Sequence, residues 1–311
     1  MLNGWTLPKD AVSKIANEGY LLTSVGSSGA LAKIKSEISA WKDTPAVNGY
    51  GCLYAGGDAL LQNLALFSPT ALKLALSDDI LDLMEAIFGQ PAVLAKIEYR
   101  RALNARPEMP LHSDGRYSFS FFLYLNGIDA DAGATYVIPN THKIGIDKND
   151  GYLQVPKEAQ LEVGGEEIVA RGEPGTCLIM NDLAWHGRTE SKHAGREIVW
   201  FNFLPEDAAE SGVNLVYSVN AICDLSPRQL RAIGIGANKQ RNGSSEDFML
   251  SHNLSYDSLE LLPRNFIAKA AIRNVARRAY SYMPLPIRKL VRGVLGVDAK
   301  QRKFKKVGAA R

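Results

Sequence analysis

Cysteine is scarce in this sequence. Its three residues, Cys52, Cys177 and Cys223, are odd in number and widely spaced, and no two have the short spacing of paired metal ligands. This pattern disfavours both a disulfide framework and a zinc knuckle. Reduced thiols in an intracellular, cytoplasmic protein fit it better.

Long apolar runs are also missing. No stretch approaches the roughly 20 apolar residues that span a bilayer. The first 19 residues contain charges and glycines where a secretory signal would need an apolar core. With 311 residues, of which 46% are hydrophobic and 22% charged, the chain can bury a substantial core. We therefore expect a folded protein that is soluble or lies on a membrane surface.

Acidic residues are nearly absent from the C-terminal segment. Residues 266–311 contain 13 Lys and Arg but one acid, a net charge of +12, whereas residues 1–265 carry −9. Apolar stripes opposite the basic residues predict a tail of amphipathic helices. Three interpretations stay open for this tail. It contacts an anionic membrane or a lipid-linked substrate, it packs on the acidic body or on another subunit of an oligomer, or it binds nucleic acid, which the lack of interleaved aromatic residues disfavours.

The rest of the chain, residues 1–265, is predicted to form one domain with a helical part and a β-rich part. Residues 8–90 are mainly helical, with two helices around a short extended segment in 8–41 and helical spacing from Pro69 to Phe88. From about residue 91 to 205, short β-branched and aromatic runs alternate with Gly, Pro, Asn and Asp. That pattern predicts a mostly antiparallel barrel or sandwich flanked by helices.

Alternation within one of these runs predicts two unlike faces of a strand. The first face is apolar and the second is more polar; their members are Phe119, Phe121, Leu123 and Leu125 on the first, and Ser118, Ser120, Phe122 and Tyr124 on the second.

The residues with metal-binding chemistry lie in the β-rich part. His112 and Asp114 are two residues apart at the entry to a strand, which places both side chains on one face. His186 comes from near the end of a later strand. Two imidazoles and one carboxylate on one face of iron(II) leave positions open for a chelating ligand and for dioxygen. His112-Ser113-Asp114 is common by chance when it stands alone, but with this placement and His186 it predicts a metal site.

These motifs together resemble those of iron(II)/2-oxoglutarate-dependent dioxygenases. His112-Ser113-Asp114 is followed, after a gap of roughly 70 residues, by His186 and then by Arg196. More narrowly, GATYVIPNTHK (133–143) and GEPGTCLIMNDLAWHG (172–187) resemble the corresponding segments of the phytanoyl-CoA dioxygenase-like family. The resemblance covers about residues 8–205.

The resemblance implies a double-stranded β-helix, which is a jelly-roll, cupin-like core, with iron(II) as cofactor and 2-oxoglutarate and O2 as cosubstrates. It implies that His112, Asp114 and His186 bind the iron and that Arg196 holds the distal carboxylate of 2-oxoglutarate. A guanidinium suits that role because it can pair with a carboxylate through two hydrogen bonds. Related halogenases lack the carboxylate ligand, so Asp114 implies hydroxylation or a similar oxidation.

One position departs from the family pattern. Many relatives have Ser or Thr two residues after the second histidine, where this chain has Arg188, which is either a second cationic contact or part of a structural ion pair. Further candidates are Tyr124 and Lys96 for 2-oxoglutarate and Arg106 and His142 for substrate. Alternatively, Tyr124, Lys96 and Arg106 are wall residues or solvated charges, and His142 orders its loop.

We therefore expect a non-haem oxygenase that hydroxylates an unactivated C–H bond of a small-molecule or lipid-linked substrate and releases succinate and CO2. Two other functions remain open. One is a cupin-like metalloenzyme that does not use 2-oxoglutarate, and the other is a non-catalytic scaffold on the same fold.

Overall fold

The computed structural model describes residues 4–41, 52–55, 58–129, 131–144, 153–155, 165–211, 215, 217 and 219–234. The basic tail predicted for residues 266–311 lies outside the described residues. None of the described helices has the length and apolar character needed to cross a membrane.

The N-terminal part begins with the helix, extended segment and helix expected for residues 8–41. These are α1 (Ala11–Glu18), β1 (Tyr20–Ser24) and α2 (Ser28–Trp41). Gly19 ends α1 with a left-handed backbone (φ +84°), and this conformation lets the chain turn directly into β1.

Two strands and three helices follow α2. The sequence pattern predicts no strands here, but the structure has a β-hairpin, and the helical stretch from Pro69 to Phe88 is two helices. A break at Leu76 and Ser77 separates them, because Asp78 and Asp79 favour a new helix N-terminus just after Ser77. In chain order the elements are β2 (Cys52–Ala55), β3 (Asp58–Leu61), α3 (Leu64–Phe67), α4 (Pro69–Ala75) and α5 (Asp78–Phe88).

The rest of the described chain contains nine further strands, two short α-helices and two 3-10 helices, Thr141–Lys143 and Glu206–Ser211. The strands are β4 (Ala92–Ala102), β5 (Met109–Ser113), β6 (Phe119–Tyr124), β7 (Thr135–Val137), β8 (Leu153–Gln154), β9 (Ile168–Val169), β10 (Thr176–Asn181), β11 (His186–Arg188) and β12 (Glu197–Pro205). The α-helices are α6 (Val219–Ile222) and α7 (Pro227–Ala232).

The described strands form two antiparallel sheets. The large sheet has the order β1-β10-β6-β12-β4-β3-β2 and the small sheet β8-β5-β11-β7-β9. Side chains from both sheets share one buried cluster, which includes Tyr124, Leu178 and Ile198 of the large sheet and Val137 of the small one. The two sheets therefore pack face to face, and the predicted mainly β, jelly-roll fold with flanking helices is confirmed.

The two faces of the large sheet have different neighbours. Phe119, Phe121 and Leu123 are buried in the cluster that also contains the helices α1 to α5. Phe121 stacks on Phe201 of β12, with ring centroids 4.7 Å apart. Tyr124 lies on the other face, in the cluster between the sheets. The alternation predicted for β6 is therefore confirmed, and its more polar face is turned towards the small sheet.

Candidate metal centre

Strand pairing brings the two histidines together. β5 and β11 are antiparallel neighbours, and His112 stands directly opposite His186, with ring centroids 4.2 Å apart. Asp114 follows the last residue of β5. Its carboxylate oxygens lie 3.8 Å from Nε2 of His112 and 3.9 Å from Nε2 of His186. Two ligands of one ion with bonds of about 2.1 Å are at most about 4.2 Å apart, so a single ion can bridge both pairs.

The protonated nitrogen of each imidazole is fixed by a backbone carbonyl. Nδ1 of His112 lies 2.9 Å from the carbonyl oxygen of Pro110, and Nδ1 of His186 lies 2.9 Å from that of Ala184. A carbonyl oxygen only accepts hydrogen bonds, so each Nδ1 must carry the hydrogen. This leaves the Nε2 lone pair of each ring for a metal, in the arrangement common to metal-binding histidines.

Burial sets the charge state of these ligands. It lowers the pKa of His112 to about 4, with a further contribution from His186, and it lowers the pKa of His186 to about 4. Both rings are therefore neutral near pH 7, which is the form that binds a metal. Burial raises the pKa of Asp114, and the positive charges of Lys96 and Arg100 oppose that rise.

A second buried carboxylate, Asp182, holds the loop that carries Asp114. The backbone N–H of Asp114 donates to the carbonyl oxygen of Asp182 at 3.0 Å. Ser118 Oγ and Asn202 Nδ2 both donate to Oδ2 of Asp182, the latter at 2.7 Å. Burial, together with the charge of Asp114, raises the pKa of Asp182 to about 7. Asp182 is not among the residues predicted from the sequence, where its one signal is its position at the end of an apolar strand, four residues before His186.

Gly187 is enclosed between the neighbours of β11. A Cβ at this position would lie 2.5 Å from the Tyr136 hydroxyl and 2.7 Å from the backbone oxygen of Met109. Neither atom can move cheaply, because Met109 contributes backbone and Tyr136 donates to Glu108 at 3.0 Å. A residue without a side chain is therefore needed beside His186.

Arg196 and Tyr124 lie together on the inner side of the large sheet. Arg196 is 7% exposed, and its Nη1 donates to the carbonyl oxygen of Gly133 at 2.6 Å. Tyr124 is fully buried, and its hydroxyl accepts from the backbone N–H of Thr135 at 2.9 Å. Burial raises the pKa of Tyr124, and the nearby charge of Arg196 opposes the rise. A buried guanidinium beside a phenol is well suited to bind a carboxylate.

The remaining candidates from the sequence have different surroundings. Lys96 forms an ion pair with Glu98 at 3.4 Å and lies near enough to Asp114 to affect its pKa. Arg188 donates through Nη2 to the Pro107 carbonyl oxygen at 3.0 Å.

Arg106 contacts a neighbouring loop, and His142 contacts α1. The backbone of Arg106 pairs with that of Ser191. Nε2 of His142 lies 3.2 Å from the Ala16 carbonyl oxygen, and its ring occupies the space beside Gly19. This contact corresponds to the loop-ordering alternative for His142.

Several solved structures share this fold, and some of them contain bound iron or 2-oxoglutarate. EctD from S. alaskensis with bound Fe has a TM-score of 0.54 and 15% identity over 64% of this chain and 77% of that chain. EctD with 2-oxoglutarate and 5-hydroxyectoine has a TM-score of 0.52 and 16% identity over 66% and 80%. The epimerase SnoN in complex with Fe3+, alpha ketoglutarate and nogalamycin RO has a TM-score of 0.51 and 16% identity over 62% and 82%.

At this level of identity the likeness shows the fold. No protein-family model matches the sequence, and no curated protein matches it.

Proposed function

We propose that this protein is a non-haem iron(II)/2-oxoglutarate-dependent oxygenase. The observation that carries the proposal is the cluster of His112, Asp114 and His186, whose candidate ligand atoms all lie within 4.8 Å of one another. Two neutral imidazoles with their Nε2 lone pairs available, and one carboxylate, match the donor set of a 2-His-1-carboxylate iron site. The solved structures that share the fold, with Fe and 2-oxoglutarate bound in some of them, add support.

Each residue of the site has a defined task in this proposal. His112 and His186 supply neutral donors, and the hydrogen bonds from their Nδ1 atoms keep both rings oriented. Asp114 supplies the negative charge, and Arg196 holds the distal carboxylate of 2-oxoglutarate, with the Tyr124 hydroxyl beside it. Iron(II), when bound with 2-oxoglutarate and O2, supplies an oxidant that can attack an unactivated C–H bond.

We propose hydroxylation as the reaction. One substrate C–H bond, one 2-oxoglutarate and one O2 become one C–OH group, succinate and CO2. The presence of a carboxylate at position 114 supports oxygenation over halogenation. Within the superfamily we propose membership of the phytanoyl-CoA dioxygenase-like family, which is supported by the segment 133–143. In the structure this segment includes β7 and the turn in which Thr141 accepts a hydrogen bond from the Trp185 backbone, just before His186.

We further propose that the substrate is a small or lipid-linked molecule, and that residues 266–311 bring the enzyme to an anionic membrane surface. The net charge of +12 on this segment supports this. The test is pelleting with vesicles that contain phosphatidylserine. Equal pelleting of the full chain and of a chain that ends at residue 265 would contradict membrane contact and favour packing on the body or on another subunit.

The experiment for the oxygenase activity measures succinate released from 2-oxoglutarate in the presence of iron(II) and O2. We expect turnover in the wild type and its loss in His112→Ala, which removes one donor. His193→Ala is the matched control, because His193 is exposed and outside the cluster. Intact turnover in His112→Ala would refute the proposal. Iron binding without 2-oxoglutarate binding would indicate a cupin-like metalloenzyme of another class, and binding of both without O2 consumption would indicate a scaffold.

A further inference from the structure

A polar cavity lies beside the metal centre. Its volume is about 360 Å³, and its lining includes Gln62, Asn63, Lys96, Glu98, Arg116 and Asn202. Two of these residues connect it to the centre. Lys96 lowers the pKa of Asp114 through its charge, and Asn202 donates to Asp182, which in turn accepts the backbone N–H of Asp114. The volume is in the range of a pocket for a small molecule.

The charges at the cavity do not balance. Glu98 is 2% exposed, and its carboxylate serves two cations, Lys96 at 3.4 Å and Arg100 at 2.5 Å. Arg116 is exposed and forms no ion pair with an acid of the described residues. Asp114 is the nearby acid, but in the proposed function its carboxylate binds the iron and so does not neutralise the cations of the cavity. The cavity lining thus contains two cations, Lys96 and Arg116, and one acid, Glu98, which is shared with Arg100 outside the lining, so the cavity has an excess of positive charge.

The Trp200 ring contacts two of these cations, Lys96 and Arg100. Nζ of Lys96 lies 3.5 Å from the centroid of the Trp200 ring, and the Arg100 guanidinium carbon lies 4.1 Å from it. Phe122 stacks on Trp200 with an interplanar angle of 18°, and the indole N–H donates to Ser120 Oγ at 3.0 Å. Because these contacts fix Trp200, the Lys96 side chain that packs on it is already ordered. Less side-chain entropy is therefore lost when Lys96 binds a ligand.

We propose that this cavity is the substrate pocket and that it binds a polar molecule through an anionic group, a carboxylate or a phosphate, held by Lys96 and Arg116. The amides of Gln62, Asn63 and Asn202 provide hydrogen bonds for the uncharged polar part of such a molecule. An acyl chain fits this lining poorly, since it would desolvate charged groups without compensating them. The identification of the bound molecule as the substrate rests on the proposed oxygenase function, whereas the preference for an anion rests on the cavity alone.

The test uses three probes that share a phenyl ring: benzoate, phenyl phosphate and benzamide, which is uncharged and has nearly the shape of benzoate. Their binding to the full chain is measured by titration calorimetry with saturating Mn(II) and 2-oxoglutarate, so that the carboxylate site at Arg196 is already filled. We expect benzoate or phenyl phosphate to bind about tenfold or more tightly than benzamide, as a charge-assisted hydrogen bond predicts. Binding of benzoate alone indicates a carboxylic acid substrate, and binding of phenyl phosphate alone indicates a phosphorylated one.

Variants locate the binding. Arg116→Gln and Lys96→Gln should each weaken anion binding about tenfold or more. Arg101→Gln should leave anion binding unchanged. Arg101 lies on β4, like Lys96, but it is exposed and pairs with Glu197 at 3.7 Å. Thermal melting of each variant shows whether it is folded. Equal binding of benzamide and the anions, no binding of either anion, or wild-type affinity in folded Arg116→Gln would each overturn the proposal.

The outcome separates the two proposals. Binding of 2-oxoglutarate is measured first and tests the oxygenase function. If 2-oxoglutarate fails to bind but the anion preference follows Arg116 and Lys96, the cavity is an anion site of a protein with another function. If 2-oxoglutarate binds and the anion preference is missing, the oxygenase function stands and the substrate proposal fails.

Discussion

His112 and His186 occupy opposite positions of one antiparallel strand pair, with β5 on one side and β11 on the other. The pairing shifts register immediately afterwards, so that Arg188 stands opposite Met109. The proximity of these two candidate ligands therefore depends on a short β11 that must stay in contact with β5. Any change that displaces β11 should separate the two Nε2 atoms and weaken metal binding.

The first prediction concerns Gly187, the central residue of β11. Gly187→Ala places a Cβ within 2.7 Å of the Met109 backbone oxygen, so β11 must move away from β5. We expect a loss of about 1–3 kcal/mol in the free energy of unfolding, as in other overpacked sites. Metal affinity should fall about tenfold or more, and titration of the apo protein with Fe(II) or Mn(II) under anaerobic conditions measures it.

The control is Gly29→Ala in α2. A Cβ there meets no atom closer than 4.0 Å, and Ala is preferred to Gly in a helix by about 0.5–1 kcal/mol. This variant should be as stable as the wild type or more stable, with unchanged metal affinity. Wild-type metal affinity in Gly187→Ala would show that β11 tolerates the displacement.

The second prediction concerns Asp182, whose carboxylate receives hydrogen bonds from Ser118 and Asn202. Asp182→Ala leaves both donors without their acceptor in a buried place, at a cost of about 1–3 kcal/mol in stability. The loop that carries Asp114 should loosen, and metal affinity should fall about 10- to 100-fold, as for other residues that orient metal ligands. Chemical denaturation and metal titration measure the two effects.

Asp182→Asn separates the loss of the hydrogen-bond acceptor from the loss of the carboxylate's charge. Its amide oxygen can still accept from Ser118 and Asn202, so we expect it to keep most of the stability and metal affinity that Asp182→Ala loses. Asp131→Asn serves as an exposed control, because Asp131 pairs with Lys192 at the surface. Metal affinity in Asp182→Ala equal to that of the wild type would refute a role of the Asp182 carboxylate in holding the loop that carries Asp114.

The sequence singles out His112, Asp114 and His186, because histidine is rare here, and because His112 and Asp114 are two residues apart at the entry to a strand and His186 lies near the end of a later one. It could not predict that His112 and His186 face each other, since register depends on pairing between distant segments. It also could not predict the cavity, whose lining comes from the β3–α3 turn, β4, β12 and the loop after β5. The position of Asp182 at the end of an apolar strand is its one signal in the sequence, since a buried carboxylate otherwise looks the same there as an acid in a surface turn.

The fold was predictable where the local pattern was strong. The alternation in β6 and the Gly19 stop of α1 both follow from local chemistry. The hairpin of β2 and β3 was missed, because residues 52–61 combine Ala, Leu and Gly in a pattern that favours neither period. The break between α4 and α5 was missed because apolar spacing continues across Leu76 and Ser77.

The third prediction concerns Arg196 and rests on the oxygenase proposal. Arg196→Lys keeps the charge but loses the planar fork that pairs with a carboxylate through two hydrogen bonds. We expect the KM for 2-oxoglutarate to rise about tenfold or more, while metal affinity stays near the wild-type value because Arg196 is not a ligand. Succinate release at varied 2-oxoglutarate concentration measures the change, with Arg101→Gln as the control. An unchanged KM would exclude Arg196 as the cosubstrate anchor.

The fourth prediction concerns pH and His142, which packs against α1 far from the metal ligands in sequence. Burial lowers the pKa of His142 below its usual 6.5, so the folded state prefers the neutral ring. Its contribution to stability is fully present above pH 6.5 and is lost as the pH falls through 6.5 towards the folded-state pKa, because the unfolded chain then takes up a proton first.

His112 and His186 act in the same direction in the metal-free protein, so the wild type alone cannot isolate His142. The comparison of wild type with His142→Gln does so, since the variant keeps the other two histidines. With EDTA present, the free energy of unfolding should fall less in His142→Gln than in the wild type between pH 7.5 and pH 5.5. Parallel pH profiles for the two proteins would show that the ring of His142 titrates as it does in water.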